Sequence, residues 1–92
     1  MIRSFACPET EALSKGERAR RFVNIAAVVQ RKLRQLQIAG RLNDLRVPPG
    51  NRLEALKGDR RGQHSIRIND QWRVCFRWTE AGAEDVEIVD YH

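Results

Sequence analysis

No stretch of this chain is apolar for long enough to span a bilayer, and its start, Met1-Ile2-Arg3-Ser4-Phe5-Ala6-Cys7-Pro8, lacks the apolar centre of a signal peptide. A cytoplasmic protein with no membrane partner is the expectation. Cysteine is scarce too: the two thiols, Cys7 and Cys75, stand far apart, with no Cys-x-x-Cys and no Cys/His ligand spacing. This argues against zinc and for reduced thiols, with Cys75 a small packing residue inside a strand. There is no repeat and no low-complexity tract, and 92 residues leave room for one modest core. The expectation is one domain covering 1–92.

What the chain has in excess is positive charge. Seventeen Lys and Arg against twelve Asp and Glu give a net charge of +5, the balance of a protein that meets a polyanion. Most of those cations are arginines, whose planar fork matches phosphate oxygens.

Hydrophobic periodicity divides the chain. Ile2 to Phe5 reads as a short first strand, and Glu9 to Leu13, opened by Pro8, as one or two helical turns before Lys15-Gly16. From Glu17 to about Ile38, Phe22, Ile25, Ala26, Val29, Leu33 and Leu36 recur at spacings of three and four, which predicts the main helix. Arg20, Arg21, Arg31, Lys32 and Arg34 lie mostly off that stripe; Gly40 is a plausible stop. Leu42 to Arg52, with Asn43-Asp44 and Pro48-Pro49-Gly50-Asn51, reads as a loop with at most a short helical turn. Leu53 to Leu56 reads as a brief extended piece before a turn over Gly58 to Gly62.

The last third alternates as strands do. Ile66 and Ile68 interleave with Ser65, Arg67 and Asn69; Trp72, Val74, Phe76 and Trp78 interleave with Arg73, Cys75 and Arg77. Keeping the apolar faces together pairs Ile66 with Val74 through a three-residue loop, Asn69-Asp70-Gln71, and sets Arg67 opposite Arg73. Like charges across a strand pair are unfavourable, so an anion between them is a natural complement. For the next pair, matching Trp78 with Val86 and Phe76 with Ile88 puts Arg77 opposite Glu87 and Arg73 opposite Tyr91.

The chain then ends in Asp90-Tyr91-His92, an acid, a phenol and an imidazole that can hold or move protons. Intramolecular cleavage of RNA needs a base for the 2′-OH proton, cations to hold the phosphate as charge develops, and an acid for the leaving 5′ oxygen. His92 and Asp90 suit the first and last roles, Lys57 and Arg73 the middle one, and Tyr91 can stack on a base or hydrogen-bond to the phosphate. Arg60, Arg61, Arg67 and Arg77 are further candidate RNA-binding cations. Each residue also has an ordinary explanation: a tail histidine, a tyrosine over a core edge, a turn lysine, an arginine on the solvent side of a strand. Glu54 is either a proton acceptor or a surface ion-pair partner, and His64 heads the apolar face of its strand, which suits a structural role.

The run Arg52-Leu53-Glu54-Ala55-Leu56-Lys57-Gly58-Asp59-Arg60-Arg61-Gly62, the Asn69-Asp70-Gln71-Trp72-Arg73 segment and the terminal Glu87-Ile88-Val89-Asp90-Tyr91-His92 together resemble the HigB-type toxins, or plasmid-maintenance killer proteins, of the RelE/ParE superfamily. The resemblance runs over essentially the whole chain. It implies an α+β, compact RelE-like fold with N-terminal helices packed on a small, twisted, mainly antiparallel sheet. It implies an mRNA endoribonuclease of a type II toxin–antitoxin pair, acting in the ribosomal A site without metal or other cofactor through 2′-OH attack on the adjacent phosphate. Carried over by position, it assigns Lys57 and Arg73 to the phosphate and Asp90, Tyr91 and His92 to the acid–base and substrate-contacting end. It also implies a cognate helix-turn-helix, HigA-like antitoxin, with operator DNA bound only through the complex. One departure concerns Glu54, which stands where the family's Leu-His-x-Leu-Lys-Gly context has histidine, and a carboxylate does not offer imidazole's charge near neutral pH. Two other readings stay open: a non-enzymatic, ParE-like inhibitor of DNA gyrase, disfavoured by the terminal tripeptide, and a basic nucleic-acid-binding module.

Overall fold

A computed structural model describes residues 1–90. Two α-helices, α1 (Pro8–Ser14) and α2 (Ala26–Ile38), are followed by four strands, β1 (Glu54–Ala55), β2 (His64–Arg67), β3 (Trp72–Thr79) and β4 (Gly82–Asp90). The strands form one antiparallel sheet in chain order, β1-β2-β3-β4. One face of it carries Ile66, Val74, Phe76, Ala83, Val86 and Ile88, all buried, and the helices cover that face with Leu13, Phe22, Val29, Leu33 and Leu36. The stripe predicted for the helix is the side of α2 that meets the sheet, and its burial removes apolar side chains from water at about 25 cal/mol per Å².

The helix is shorter than its stripe. Residues Arg20–Phe22 form a separate 3₁₀ turn, with i→i−3 bonds from Phe22 to Ala19 (3.0 Å) and from Ile25 to Phe22 (3.0 Å), and the α-helix begins only at Ala26. Spacings of three and four report which side chains share a face, and a 3₁₀ turn leading into a helix satisfies them as well as one continuous helix. Phe22 is thereby set edge-on against Trp72, with ring centroids 5.2 Å apart. The expected first strand reduces to isolated parallel bridges, Ile2 with Ala83 and Phe5 with Val86, along the β4 edge.

The β2–β3 hairpin has the expected register: Ile66 faces Val74 and Arg67 faces Arg73. Its loop is closed by Asn69, whose Oδ1 accepts from the backbone N–H of Gln71 and of Trp72, each at 2.8 Å. The β3–β4 register departs from expectation. Arg73 faces Val89, Cys75 faces Glu87 and Arg77 faces Glu84, with Trp78 opposite Ala83. Two features account for the shift. The connection is tighter than Thr79 to Glu84, because Thr79 pairs with Gly82. A bulge also lies on β4 between the Cys75 and Arg77 pairs, where Asp85 takes φ 53°. The extra residue lets Ala83 and Val86, three apart in sequence, both point into the core.

Candidate active site

The opposite face of the sheet carries the arginines. Ser65, Arg67, Arg73, Cys75, Arg77, Glu84 and Glu87 occupy it by alternation, and β1 adds Glu54 opposite Ser65. This face is only partly open to solvent, since Ser65 and Cys75 are wholly buried and Arg73 is 8% exposed. A charge so enclosed is tolerated only where its donors are met. Arg73 Nε donates to Ser65 Oγ at 2.7 Å, Nη2 donates to the Arg52 carbonyl at 2.7 Å, and Nη1 lies 3.4 Å from the Glu54 carboxylate. Arg52 reaches that position because it adopts the left-handed conformation, φ 46° and ψ 56°, just after the turn Pro49–Asn51.

Arginines and carboxylates alternate across the rest of this face. Arg67 pairs with Asp70, so the two opposed arginines are held apart by different protein acceptors. Arg60 reaches back from the turn Gly58–Arg60 to Glu87 at 2.8 Å and to Gln63 at 3.0 Å. Arg77, at the far end of β3, lies 4.0 Å from Asp85 and leans over Gly62, where a Cβ would meet its guanidinium. Lys57 and Arg61, both exposed, flank the Gly58–Arg60 turn and make no ion pair among the described residues.

Glu54 and Arg73, far apart in sequence, are therefore brought into one ion pair, with Arg60 and Arg67 on the same face. The expected opposition of Arg77 to Glu87 is corrected by the bulge: Glu87 faces Cys75 and holds Arg60 instead. Likewise Arg73 stands opposite Val89, where Tyr91 had been expected. Asp90 pairs with Trp72, on the other side of the strand from Val89, and accepts from Gln71 Nε2 at 3.2 Å. Tyr91 and His92 lie outside the described residues. Burial pushes the Cys75 thiol up, with Glu87 adding to it against Arg60 and Arg73, which leaves a protonated packing group between the arginines. His64 stacks on Phe76 on the apolar side, and burial holds its imidazole below its ordinary value. Among the described residues, no three His, Cys, Asp or Glu side chains gather as metal ligands.

Sequence reasoning missed two of the groups that hold Arg73. Alternation puts Ser65 on the polar face but cannot show it under a guanidinium, and the Arg52 carbonyl depends on a left-handed residue that carries no glycine to announce it.

A family model described as HigB-like toxin, RelE-like toxin of type II toxin–antitoxin system HigB, matches residues 13–92. Toxin HigB-1 of Vibrio cholerae is 49% identical over 53 residues, covering 58% of this chain and 56% of that protein. An uncharacterized protein of Haemophilus influenzae is 38% identical over 55 residues, 60% of this chain and 54% of its own length. The chain is thus matched over about half the length of these curated relatives.

Proposed function

The chain belongs to the HigB-like toxins of type II toxin–antitoxin systems, and from that premise we propose that it is an endoribonuclease that cuts mRNA on the ribosome and so stops translation. In the proposed reaction the ribose 2′ oxygen bonds to the adjacent phosphorus as the bond from phosphorus to the 5′ oxygen breaks. The products are a 2′,3′-cyclic phosphate and a free 5′-hydroxyl. The 2′-OH proton passes to a base and the 5′ oxygen takes a proton from an acid, both drawn from Asp90, Tyr91 and His92. Arg73 and Lys57 hold the non-bridging oxygens as negative charge grows on them, and Arg60, Arg61, Arg67 and Arg77 guide the strand.

The observation that carries this reading is the Arg73 guanidinium, nearly enclosed and held on two sides by Ser65 and the Arg52 carbonyl. A donor fixed before the substrate arrives costs no reorganisation when charge develops, which is the condition for strong transition-state stabilisation. Its third side faces Glu54, an exposed carboxylate that a phosphate would have to displace or share. Control comes from a cognate helix-turn-helix antitoxin, HigA-like, whose complex with the toxin binds the operator.

The test is a cleavage map. Purified protein added to a translating extract should cut mRNA within the reading frame, leaving ends that carry a cyclic phosphate, and should cut the same RNA poorly when naked, because the ribosome orders it for in-line attack. Intact mRNA in the extract, with supercoiling by gyrase inhibited instead, would replace this reading with a ParE-like one.

A further inference from the structure

Lys32 reads from sequence as one more solvated cation on the flank of the main helix, yet its surroundings are those of a built position. It is half-buried, and Nζ donates to Asn51 Oδ1 at 2.5 Å. Asn51 is fully buried and is fixed in turn by its own amide, which donates to Gln35 Oε1 at 2.9 Å and to the Leu45 carbonyl at 3.1 Å. The next residue is Arg52, whose carbonyl holds Arg73. One short segment therefore fixes both cations, Lys32 from α2 and Arg73 from β3.

The turn Pro49–Asn51 packs on β2, which ends at Arg67, the cross-strand partner of Arg73. Lys32 has no carboxylate of its own: it makes no ion pair among the described residues, and the sequence holds no Asp or Glu between Glu17 and Asp44. Desolvation first, then Arg31 and Arg67, hold its ammonium below the ordinary lysine value. On the sheet face, by contrast, each of Arg60, Arg67, Arg73 and Arg77 is matched by an acid. A partly desolvated ammonium among like charges, with one of its three donors on a neutral amide, is unfavourable unless an anion completes it.

We propose that Lys32 binds a phosphate flanking the scissile one, so that the RNA strand passes from the Arg73 face, by way of Arg67, onto α2. This rests on the RNA-cleaving reading above and adds a second point of contact to it. The two phosphate sites are held in fixed relation through Asn51 and Arg52, which sets the path of the strand across the sheet edge.

The experiment is binding of a single-stranded RNA bearing 2′-O-methyl riboses, which cannot be cut, measured by fluorescence anisotropy over a range of salt. Each phosphate contact on a single strand contributes about 0.7 to the slope of log affinity against log salt. Lys32→Met should lower that slope by about 0.7 and weaken binding several-fold at low salt, while Lys32→Arg should keep the wild-type slope. Lys15→Gln removes the same unit charge from a lysine paired with Glu11 at 3.7 Å and should leave the slope unchanged. Lys32→Gln, uncharged but able to donate to Asn51, repeats the measurement if the Met variant melts early. A wild-type slope in the folded, uncharged variants, or an equal fall in Lys15→Gln, overturns the proposal while leaving the cleavage reading standing. A wild-type protein with no salt-dependent RNA binding also overturns the proposal, and the cleavage map on the ribosome decides the cleavage reading separately.

Discussion

The two ends of strand β3 present the same residue type in opposite ways. At one end the side chain of Arg73 is 10% exposed, with two hydrogen bonds and a carboxylate around it. At the other, that of Arg77 is 45% exposed and lies 4.0 Å from Asp85, beside a bulge. Four residues of alternation place both on one face, and nothing local distinguishes them. What differs is what lies above: Arg52 and Glu54 close over Arg73, while Gly62, which has no side chain, lies against Arg77. A rigid, enclosed cation can stabilise charge that appears during a reaction, whereas an exposed one on a flexible stem is screened and contributes little beyond general attraction.

The largest effect that would break this comparison is at Arg73. Arg73→Met should lower cleavage by about 100-fold or more, the scale of losing one preorganised donor, while Arg77→Met should cost only a few-fold. The first variant should also lose about 1–3 kcal/mol of stability, because Ser65 Oγ and the Arg52 carbonyl lose their donor. Single-turnover cleavage with urea melts checks both, and equal losses at the two ends would erase the distinction. Gly82 tests the bulged end as architecture. Its φ is 129°, and a Cβ there would collide with the Met1 carbonyl, which accepts from Ala83 N–H at 2.8 Å. Gly82→Ala should therefore destabilise by roughly 1–3 kcal/mol, while the molecules that remain folded cut RNA at the wild-type rate per active site.

Glu54 sharpens the comparison from the other side. Glu54→His removes the carboxylate that competes with phosphate for Arg73 and introduces a group that titrates near neutrality, so cleavage should rise about 3- to 10-fold. A fall would show that the carboxylate itself serves the reaction. The smallest effect concerns His64, on the apolar side of the sheet opposite Phe76. Its folded value lies below the ordinary 6.5, so below that pH the unfolded chain binds a proton more readily than the native one. The corresponding stability is present above about pH 6.5 and is lost as pH falls through the folded value. Melting temperature should drop between pH 7.5 and 5.0, and the drop should be smaller in His64→Gln.

The β2–β3 hairpin was legible because alternation, the Asn69-Asp70-Gln71 loop and the need to keep Ile66 and Val74 on one face all agree. The β3–β4 pair was not, because Ala83 and Val86 break period two and only the bulge at Asp85 resolves them. The helical stripe on α2 was legible as a face, and its true start at Ala26 was not, since 3₁₀ and α-helical turns share that spacing.

By itself the sequence determined the class: one basic α+β chain, arginines on one side of an antiparallel sheet and apolar residues on the other, with the motifs of a toxin family. Those properties follow from composition and from periods of two and 3.6, which are local. Tertiary structure alone decided which arginine is enclosed, that Glu54 meets Arg73, and that Lys32 and Arg73 are held by neighbouring residues of one turn. Each of these depends on contacts between segments distant in the chain, and on a left-handed backbone at Arg52 that aims one carbonyl, so no window of sequence contains them.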